Sequence, residues 1–573
     1  MDNKAVADIF ASMADILAIQ GESFHRVLAY RKAAENVSAL SQPVEEIWRA
    51  GELRSIPGIG ETLEAKIDEL LRTGKVEAYE KLRQQVPDGV VAMLEVPDVG
   101  PKRAALFWRE LGVESVEALE KAARAGQLQA LPGMGAKSEQ KVLAGIEALK
   151  RRSGRTPLGV ALPLAEAMLS TLRGVDGVVQ AAPAGSLRRR RETVGDLDLL
   201  VASEDPEPVM ARFRELPQVA EVLLSGLTKT SIRTGDGFQV DLRVLEPQRW
   251  GTALQYFTGS QGHNVHLRQL ALERGFSLSE YALHRQEEEG GDVLCSSEEE
   301  VYSTLGLPYI PPELREDRGE IEAGLAGRLP RLVELADLKG DFQFHTTGSD
   351  GQNSLLEMAE AAQAAGLEYA LVTDHSFGLG VARGQDAEGL RRQREEIDEV
   401  NRQMAPGFRV LAGTEMEIRS DGSLDFPDEV LAQLDLVVAA AHSGLRQERE
   451  KYTARILAAI RNPHVDVIAH PTGRLIGERE GADLDVEAVL RAAAETGTAL
   501  EINAHPSRLD LRDLHIRRAI ELGVKLAISS DSHNVSGFSV LPFGVATARR
   551  GWASAADLIN TMSAEEVLAW AVG

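Results

Sequence analysis

Gly185-Ser186-Leu187-Arg188-Arg189-Arg190-Arg191-Glu192-Thr193-Val194-Gly195-Asp196-Leu197-Asp198-Leu199-Leu200 is the stretch from which the rest of the chain can be read. Its end, Asp-Leu-Asp-Leu-Leu-Val, has the pattern of a β-strand, and residues two apart on a strand share a face. Asp196 and Asp198 therefore project together while Leu197 and Leu199 turn inward. Two carboxylates on one face repel unless a cation sits between them. Gly185 and Ser186 offer close backbone approach and a hydroxyl, and Arg188 and Arg189 can neutralise phosphate oxygens. A lone Asp-x-Asp reads equally as an edge strand with solvated carboxylates. The Gly-Ser pair and the arginines at this spacing favour the metal.

Outward from that strand, Gln239 to Val244 reads as another, carrying Asp241 between Val240 and Leu242. A third carboxylate is what a two-ion site needs: one ion activates an attacking hydroxyl, the other holds a triphosphate. Asp196, Asp198 and Asp241 thus form a candidate catalytic triad for nucleotidyl transfer, with Mg²⁺ or Mn²⁺.

The chain has 573 residues, room for several domains. Its 43% hydrophobic content and mean hydropathy of -0.17 describe a globular protein. A single cysteine, Cys295, excludes an intramolecular disulfide and a Cys-rich metal site. The start, MDNKAVADIF, lacks a secretory pattern, and no apolar run reaches membrane-spanning length, so a cytoplasmic, nucleoid-associated protein is expected. The net charge of -25 argues against a nucleic-acid binder. Residues 101–200, however, hold 16 Lys+Arg against 11 Asp+Glu. Carboxylates that bind cations also make the formal total misleading.

Residues 1–50 read as amphipathic helices, with Val6, Ile9, Phe10, Met13, Ile16 and Leu17 at helical spacing. Three punctuated turns follow: Ile56-Pro57-Gly58-Ile59-Gly60, Val96-Pro97-Asp98-Val99-Gly100 and Leu131-Pro132-Gly133-Met134-Gly135. Each opens a helix whose first N–H groups can hold a phosphate without reading sequence. They resemble helix-hairpin-helix DNA-backbone motifs, which implies DNA contacts at Gly58, Gly60, Val99, Gly100, Gly133 and Gly135. In the middle copy Asp98 replaces a glycine.

The stretch from Gly58 to Lys75 resembles the small N-terminal domain of family X DNA polymerases. That likeness implies binding of the 5′ side of a gap, contacts from His25, Tyr30 and Arg31, and a candidate Schiff-base lyase lysine at Lys66. A lysine is nucleophilic only if its pKa is depressed, and Glu64 and Asp68 stand nearby in sequence. Tyr256-Phe257-Thr258-Gly259-Ser260 is specific to the same family. It implies packing of Tyr256, Phe257 and Gly259 against the incoming nucleotide, which Gly185, Ser186, Arg188, Arg189 and Gly195 also bind. Asn264 matches a minor-groove base contact and Arg268 a template contact. The run Leu307 to Gly319 resembles the family's domain ending, so the likeness covers essentially residues 1–320.

The C-terminal third repeats apolar strands that end in potential ligands: Gln343-Phe344-His345, Thr373-Asp374-His375, Thr414-Glu415, Ala441-His442, Ala469-His470, Ile502-Asn503 and Asp531-Ser532-His533. Helical stretches separate them, the layout of a parallel α/β barrel with its chemistry at strand C-termini. Imidazole with carboxylate suits Zn²⁺ or Mn²⁺ rather than Mg²⁺, and so many ligands imply a cluster. This segment resembles the polymerase and histidinol phosphatase (PHP) domain, a distorted (β/α)₇ barrel that hydrolyses phosphoesters at up to three ions. The resemblance implies ligands at His345, Asp350, His375, Glu415, His442, His470, Asp531 and His533. The family's first motif is His-x-His; here Gln343 stands where the first imidazole would.

The expected organisation is multidomain. An N-terminal helical domain (1–85) precedes a second helix-hairpin-helix domain (86–154), an α+β nucleotidyltransferase palm (155–244) and a small α/β nucleotide-selection subdomain (245–318). A linker (319–337) and the barrel (338–573) complete it. The expected protein is a monomeric enzyme that acts on gapped or primed DNA and dNTPs, filling gaps in repair and trimming 3′ ends. For the barrel, abasic-site endonuclease, 3′-phosphatase or a merely structural metal centre stand as alternatives to 3′→5′ exonuclease.

Overall fold

The computed structural model describes residues 3–38, 40, 43–96, 99–151, 155–286 and 291–572, and the chain divides into two units, 1–155 and 156–573. The described part of the first unit is helical. Helices Asn3–Gln20 and Phe24–Ser38 pack on Glu61–Thr73 through Phe10, Met13, Tyr30, Leu63 and Ile67. Glycine writes the hairpins: Gly58 (φ 77°) and Gly133 (φ 74°) take the left-handed conformation that side chains resist. Gly60 then caps the helix whose Leu63, Ile67 and Leu70 fall on one face. Gly100 caps Pro101–Leu111 in the same way, while Pro97 and Asp98 lie outside the described residues. A second apolar cluster gathers Met93, Phe107, Leu119 and Val142.

The second unit is built on two large sheets. In the smaller, strands β1 (Val178–Pro183), β2 (Leu197–Ser203), β3 (Val219–Ser225), β4 (Lys229–Thr234) and β5 (Gln239–Leu245) take the order β1-β2-β5-β4-β3. Central β2 is buried over almost its whole length, because helices Leu158–Arg173 and Pro206–Arg214 cover one face and Trp250 and Leu254 pack on the other. That explains its near-continuous apolar sequence. β2 and β5 run parallel, with Asp198 opposite Asp241. Helices Trp250–Thr258 and Gln261–Glu273 and a three-stranded sheet follow.

The larger sheet has seven parallel strands in sequence order: β6 (Gly340–Phe344), β7 (Tyr369–Val372), β8 (Arg409–Glu417), β9 (Leu436–Ala440), β10 (Val467–Ile468), β11 (Ala499–Asn503) and β12 (Leu526–Ser529). Their residues are buried on both faces apart from Arg409, as parallel sheets wrapped by helices require. A parallel bridge joins Phe344, the last residue of β6, to Ser532, three residues past the end of β12. Between the strands run helices that include Leu355–Ala364, Ala387–Gln403, Arg449–Ile460 and Val486–Thr496. No helix among the described residues is long and apolar enough to cross a membrane.

At the start of β6 a Cβ on Gly340 would stand 2.0 Å from the ring of buried Tyr369. Gly340→Ala should therefore destabilise this sheet by about 1–3 kcal/mol, the cost of overpacking, read as a lower denaturant midpoint for its unfolding.

Two candidate metal centres

The first centre lies where β2 and β5 begin. Asp196 is exposed just before β2, and Asp198 and Asp241 face one another across the pair. Asp241 is held by the Lys229 ammonium at 2.9 Å and by Gln239 Nε2 at 3.0 Å. Burial would raise its pKa, but these bonds and Ser231 leave it lowered. For Asp198 burial, then the Asp196 and Asp241 carboxylates, outweigh the nearby Arg243 and Lys229 charges and push it up to about 7. A divalent cation would remove that penalty, and an all-carboxylate donor set fits a hard ion. Gly185 (φ 58°) leaves the room, since a Cβ there would sit 2.6 Å from Asp198 Oδ2.

Around this centre several residues of the expected nucleotide set are engaged with the protein itself. Arg188 gives both terminal nitrogens to Glu298, at 2.9 and 2.5 Å. Arg189 is buried, pairs with Glu316 at 3.1 Å and donates to the Thr258 carbonyl at 2.5 Å. Both arginines join the turn to the elements after β5. Asn264 is likewise committed within the protein, accepting from Gln255 Nε2 (2.8 Å) and donating to the Tyr256 carbonyl (2.7 Å). Ser186 and Gly195 flank the centre, and Tyr256 and Phe257 meet edge-on at 5.1 Å at the end of their helix, beside left-handed Gly259. Arg268 is exposed and donates to the Asn264 carbonyl. Arg243 was missed by the sequence reading; it lies 4.5 Å over the Phe257 ring, and its place two residues after Asp241 puts it on the same strand face.

In the first unit Lys66 lines a groove of about 600 Å³ with Arg26, Gly58, Gly60 and Thr62. The acids beside it in sequence have other partners: Glu64 pairs with Arg54 at 2.5 Å, and Asp68 with Arg72 at 3.0 Å and the Trp48 indole at 2.8 Å. His25 is exposed and Arg31 pairs with Asp15 at 3.2 Å. Tyr30 corrects the expectation of a DNA contact. It is 5% exposed and stacks on Phe10, because its helix turns Val27, Tyr30, Ala34 and Val37 to the core.

The second centre lies at the C-terminal ends of the seven strands and centres on Glu415. Its Oε1 is 3.0 Å from both His442 Nε2 and His470 Nε2; its Oε2 is 3.2 Å from His375 Nδ1 and 3.5 Å from His345 Nε2. His345 Nε2 is also 3.2 Å from Asp531 Oδ1, and Asp350 Oδ1 is 3.6 Å from His375 and 3.4 Å from His533. Two donors about 2.1 Å from one tetrahedral ion stand roughly 3.4 Å apart, so these separations fit ligands of shared cations. Three groups have donor atoms within 4.8 Å of one another: His345, Asp350, His375 and His533; His375, Glu415 and His442; His345, Glu415 and Asp531. Both ring nitrogens of His345, Nδ1 of His375 and Nδ1 of His470 are buried without a hydrogen bond. Buried polar atoms are seldom left so, and a cation would take one nitrogen of each such ring. His470 (φ 25°) and Asp531 (φ 54°) adopt backbone conformations that L residues resist, as residues at functional sites do.

Supporting acids surround this cluster. Glu417, unassigned in the sequence, accepts from His442 Nδ1 at 2.7 Å and fixes that ring. Asp374 takes Thr346 N and Oγ1, Ser349 and Gln393 at 2.6–2.8 Å, so it orients the loop after β6 rather than facing a cation. Glu501 receives the His470 N–H at 2.5 Å; burial and then the Asp531 charge raise its pKa well above the carboxylate range.

The chain is similar to known proteins along its whole length. Residues 253–316 match the family described as DNA polymerase beta thumb, 1–76 a helix-hairpin-helix domain and 90–148 a SAM-like helix-hairpin-helix tandem. The DNA polymerase/3'-5' exonuclease PolX of Bacillus subtilis (strain 168) is 40% identical over 572 residues, 100% of this chain and 99% of its own. A probable phosphatase of Thermoanaerobacter sp. (strain X514) is 33% identical over 205 residues, 34% of this chain and 78% of its own. DNA polymerase lambda of Rattus norvegicus is 26% identical over 341 residues, 55% of this chain and 56% of its own.

Gln343 is fully buried, donates to Asp531 Oδ1 at 3.3 Å and leaves its Oε1 without a partner. A carboxamide oxygen is a weaker transition-metal donor than an imidazole. Gln343→His should tighten the ion beside Asp531, so that dialysed protein retains more metal by mass spectrometry and needs less Mn²⁺ for half-maximal nuclease activity. Unchanged retention would make Gln343 an orienting residue only.

Proposed function

The chain belongs to the PolX family of bacterial DNA polymerase/3'-5' exonucleases, family X polymerases with a C-terminal PHP domain, and from that membership we infer its work. It fills short gaps in DNA by template-directed nucleotidyl transfer and removes 3′-terminal nucleotides with a metal-dependent phosphoesterase. The observation that carries this reading is the presence, in one chain, of a carboxylate centre beside a polymerase thumb and a separate imidazole-rich cluster at the ends of seven parallel strands.

Asp196, Asp198 and Asp241 would hold Mg²⁺ or Mn²⁺, which would supply Lewis acidity for a primer hydroxyl and a triphosphate. Gly185 and Ser186 offer backbone N–H groups and a hydroxyl to the phosphates, with Gly195 allowing close approach. Tyr256, Phe257 and Gly259 form the wall against the sugar, and Arg268 reaches towards the template. In the helical unit the hairpins at Gly58, Gly60, Val99, Gly100, Gly133 and Gly135, with His25 and Arg31, hold the DNA backbone. The domain limits are those read from the sequence: 1–85, 86–154, 155–244, 245–318, a linker 319–337, and 338–573 as a distorted (β/α)₇ barrel. Up to three Mn²⁺ or Zn²⁺ ions fit His345, Asp350, His375, Glu415, His442, His470, Asp531 and His533, with Gln343 beside them. A 3′-phosphatase reading of this cluster has support in the probable phosphatase relative. The working form is a monomer in the cytoplasm, on nucleoid DNA. Lys66, lining the groove with Arg26 and Thr62, is the candidate for a Schiff base with a 5′-deoxyribose phosphate.

Asp196→Ala/Asp198→Ala should cut extension on a gapped duplex by more than about a hundredfold, the loss that even outer-shell changes reach, while 3′-end degradation survives. His470→Ala should do the reverse. Extension that persists in the first variant would place the polymerase site elsewhere. Borohydride should trap the wild-type protein on a 5′-deoxyribose-phosphate end and should not trap Lys66→Ala; no wild-type adduct retires the lyase role.

A further inference from the structure

The turn between Gly185 and Asp196 is gripped from outside its own sheet. Arg550, at the end of helix Leu541–Arg550 in the PHP part, is buried, with its side chain 5% exposed. Its Nη1 donates to the Arg189 carbonyl at 2.6 Å and to Glu316 Oε1 at 2.9 Å; its Nη2 reaches Asp513 Oδ2 at 2.7 Å. Glu316 also holds Arg189 Nε at 3.1 Å and Arg191 Nη1 at 3.3 Å. One guanidinium of the nuclease part thus fixes the backbone of the turn directly and two of its side chains through a shared carboxylate.

A second grip lies farther along the same turn. Arg474 Nη2 pairs with Glu192 Oε2 at 2.8 Å. Arg474 is itself held by the carbonyls of Arg508, at 2.8 Å, and Leu509. It stands four residues after the metal-cluster residue His470, in a loop whose Thr472 and Gly473 N–H groups both bond to buried Asp510 at 3.0 Å. The helix that precedes the palm strands meets the same region, since Gly159 packs so closely on Pro506 that a Cβ would stand 2.4 Å away.

We propose that Arg550 and Arg474, side chains of the PHP part, are positioning residues for nucleotidyl transfer, holding the 185–196 turn so that Gly185, Ser186 and Asp196 present fixed geometry to the incoming triphosphate. The proposal rests on the nucleotide-binding reading of that turn. A misplaced phosphate cradle weakens nucleotide capture before it touches the DNA grip, which belongs to other elements. The predicted signature is therefore a split between kinetic constants, where a general loss of fold would lower every activity together.

The test uses the full chain on a single-nucleotide gap. Arg550→Met, checked for a near-wild-type unfolding midpoint, should raise the KM for dNTP about tenfold, the loss of a buried charged hydrogen bond. Its kcat should change less, and gapped-DNA affinity and 3′-end degradation should stay as in wild type. An unchanged KM in the folded variant, or equal losses of extension and degradation, would overturn the proposal. If Arg550→Met does not fold, the Arg474→Gln/Glu192→Gln cycle decides. A raised KM in Arg474→Gln to which Glu192→Gln adds nothing supports the grip; additive effects or none overturn it. Failure of the underlying reading shows differently, as extension that persists in Asp196→Ala/Asp198→Ala, and it overturns the proposal as well.

Discussion

Carboxylates gathered at strand ends repel one another unless positive charge stands between them, and both centres of this protein are built on that requirement. In the palm, Asp198 faces Asp241 across paired strands, and burial with two neighbouring charges lifts its pKa to about 7. In the PHP part, Glu415 is buried and touched by four imidazoles, and Glu501 and Asp531 stand close by. Apolar side chains at these positions would pack at less cost. Cations relieve the repulsion, and so metal binding and the stability of these sheet ends are linked.

What keeps such charges in place is a set of buried arginines. Arg315 is fully buried, pairs with Glu298 at 2.5 Å and stands 5.0 Å from the Tyr302 ring and 5.4 Å from the Tyr309 ring. Burial opposes ionisation of Glu298, yet Arg315 and Arg188 hold its carboxyl down to about 2. Glu316 and Asp513 repeat the pattern, each between arginines from distant parts of the chain. Removing one member would strand a buried charge, so these pairs fix one arrangement of palm, thumb and PHP part. Polymerase and nuclease are in this sense one body, with Trp552 of the nuclease part packed into the thumb cluster beside Leu314 and Ile321.

Much of this was legible because it is periodic. Alternation placed Asp196 and Asp198 on one face, the glycine turns repeated, and the ligands recurred at strand ends. Long-range pairing was not legible. Arg188 and Arg189 look like phosphate ligands until Glu298 and Glu316 arrive from 110 and 127 residues away. No local pattern announces such partners. Other misses were avoidable. Tyr30 shares helical spacing with Val27, Ala34 and Val37, which marks it as core. Glu417 follows Glu415 by two residues on one strand, and so faces the cluster side and can orient His442.

That one chain carries two separate cation centres can be put to metal-edge anomalous diffraction from crystals of the full chain grown with Mn²⁺. Density is expected within the three groups around Glu415, His345 and Asp350, with separate density between Asp196, Asp198 and Asp241. Maps with no anomalous density at either set of residues would contradict it.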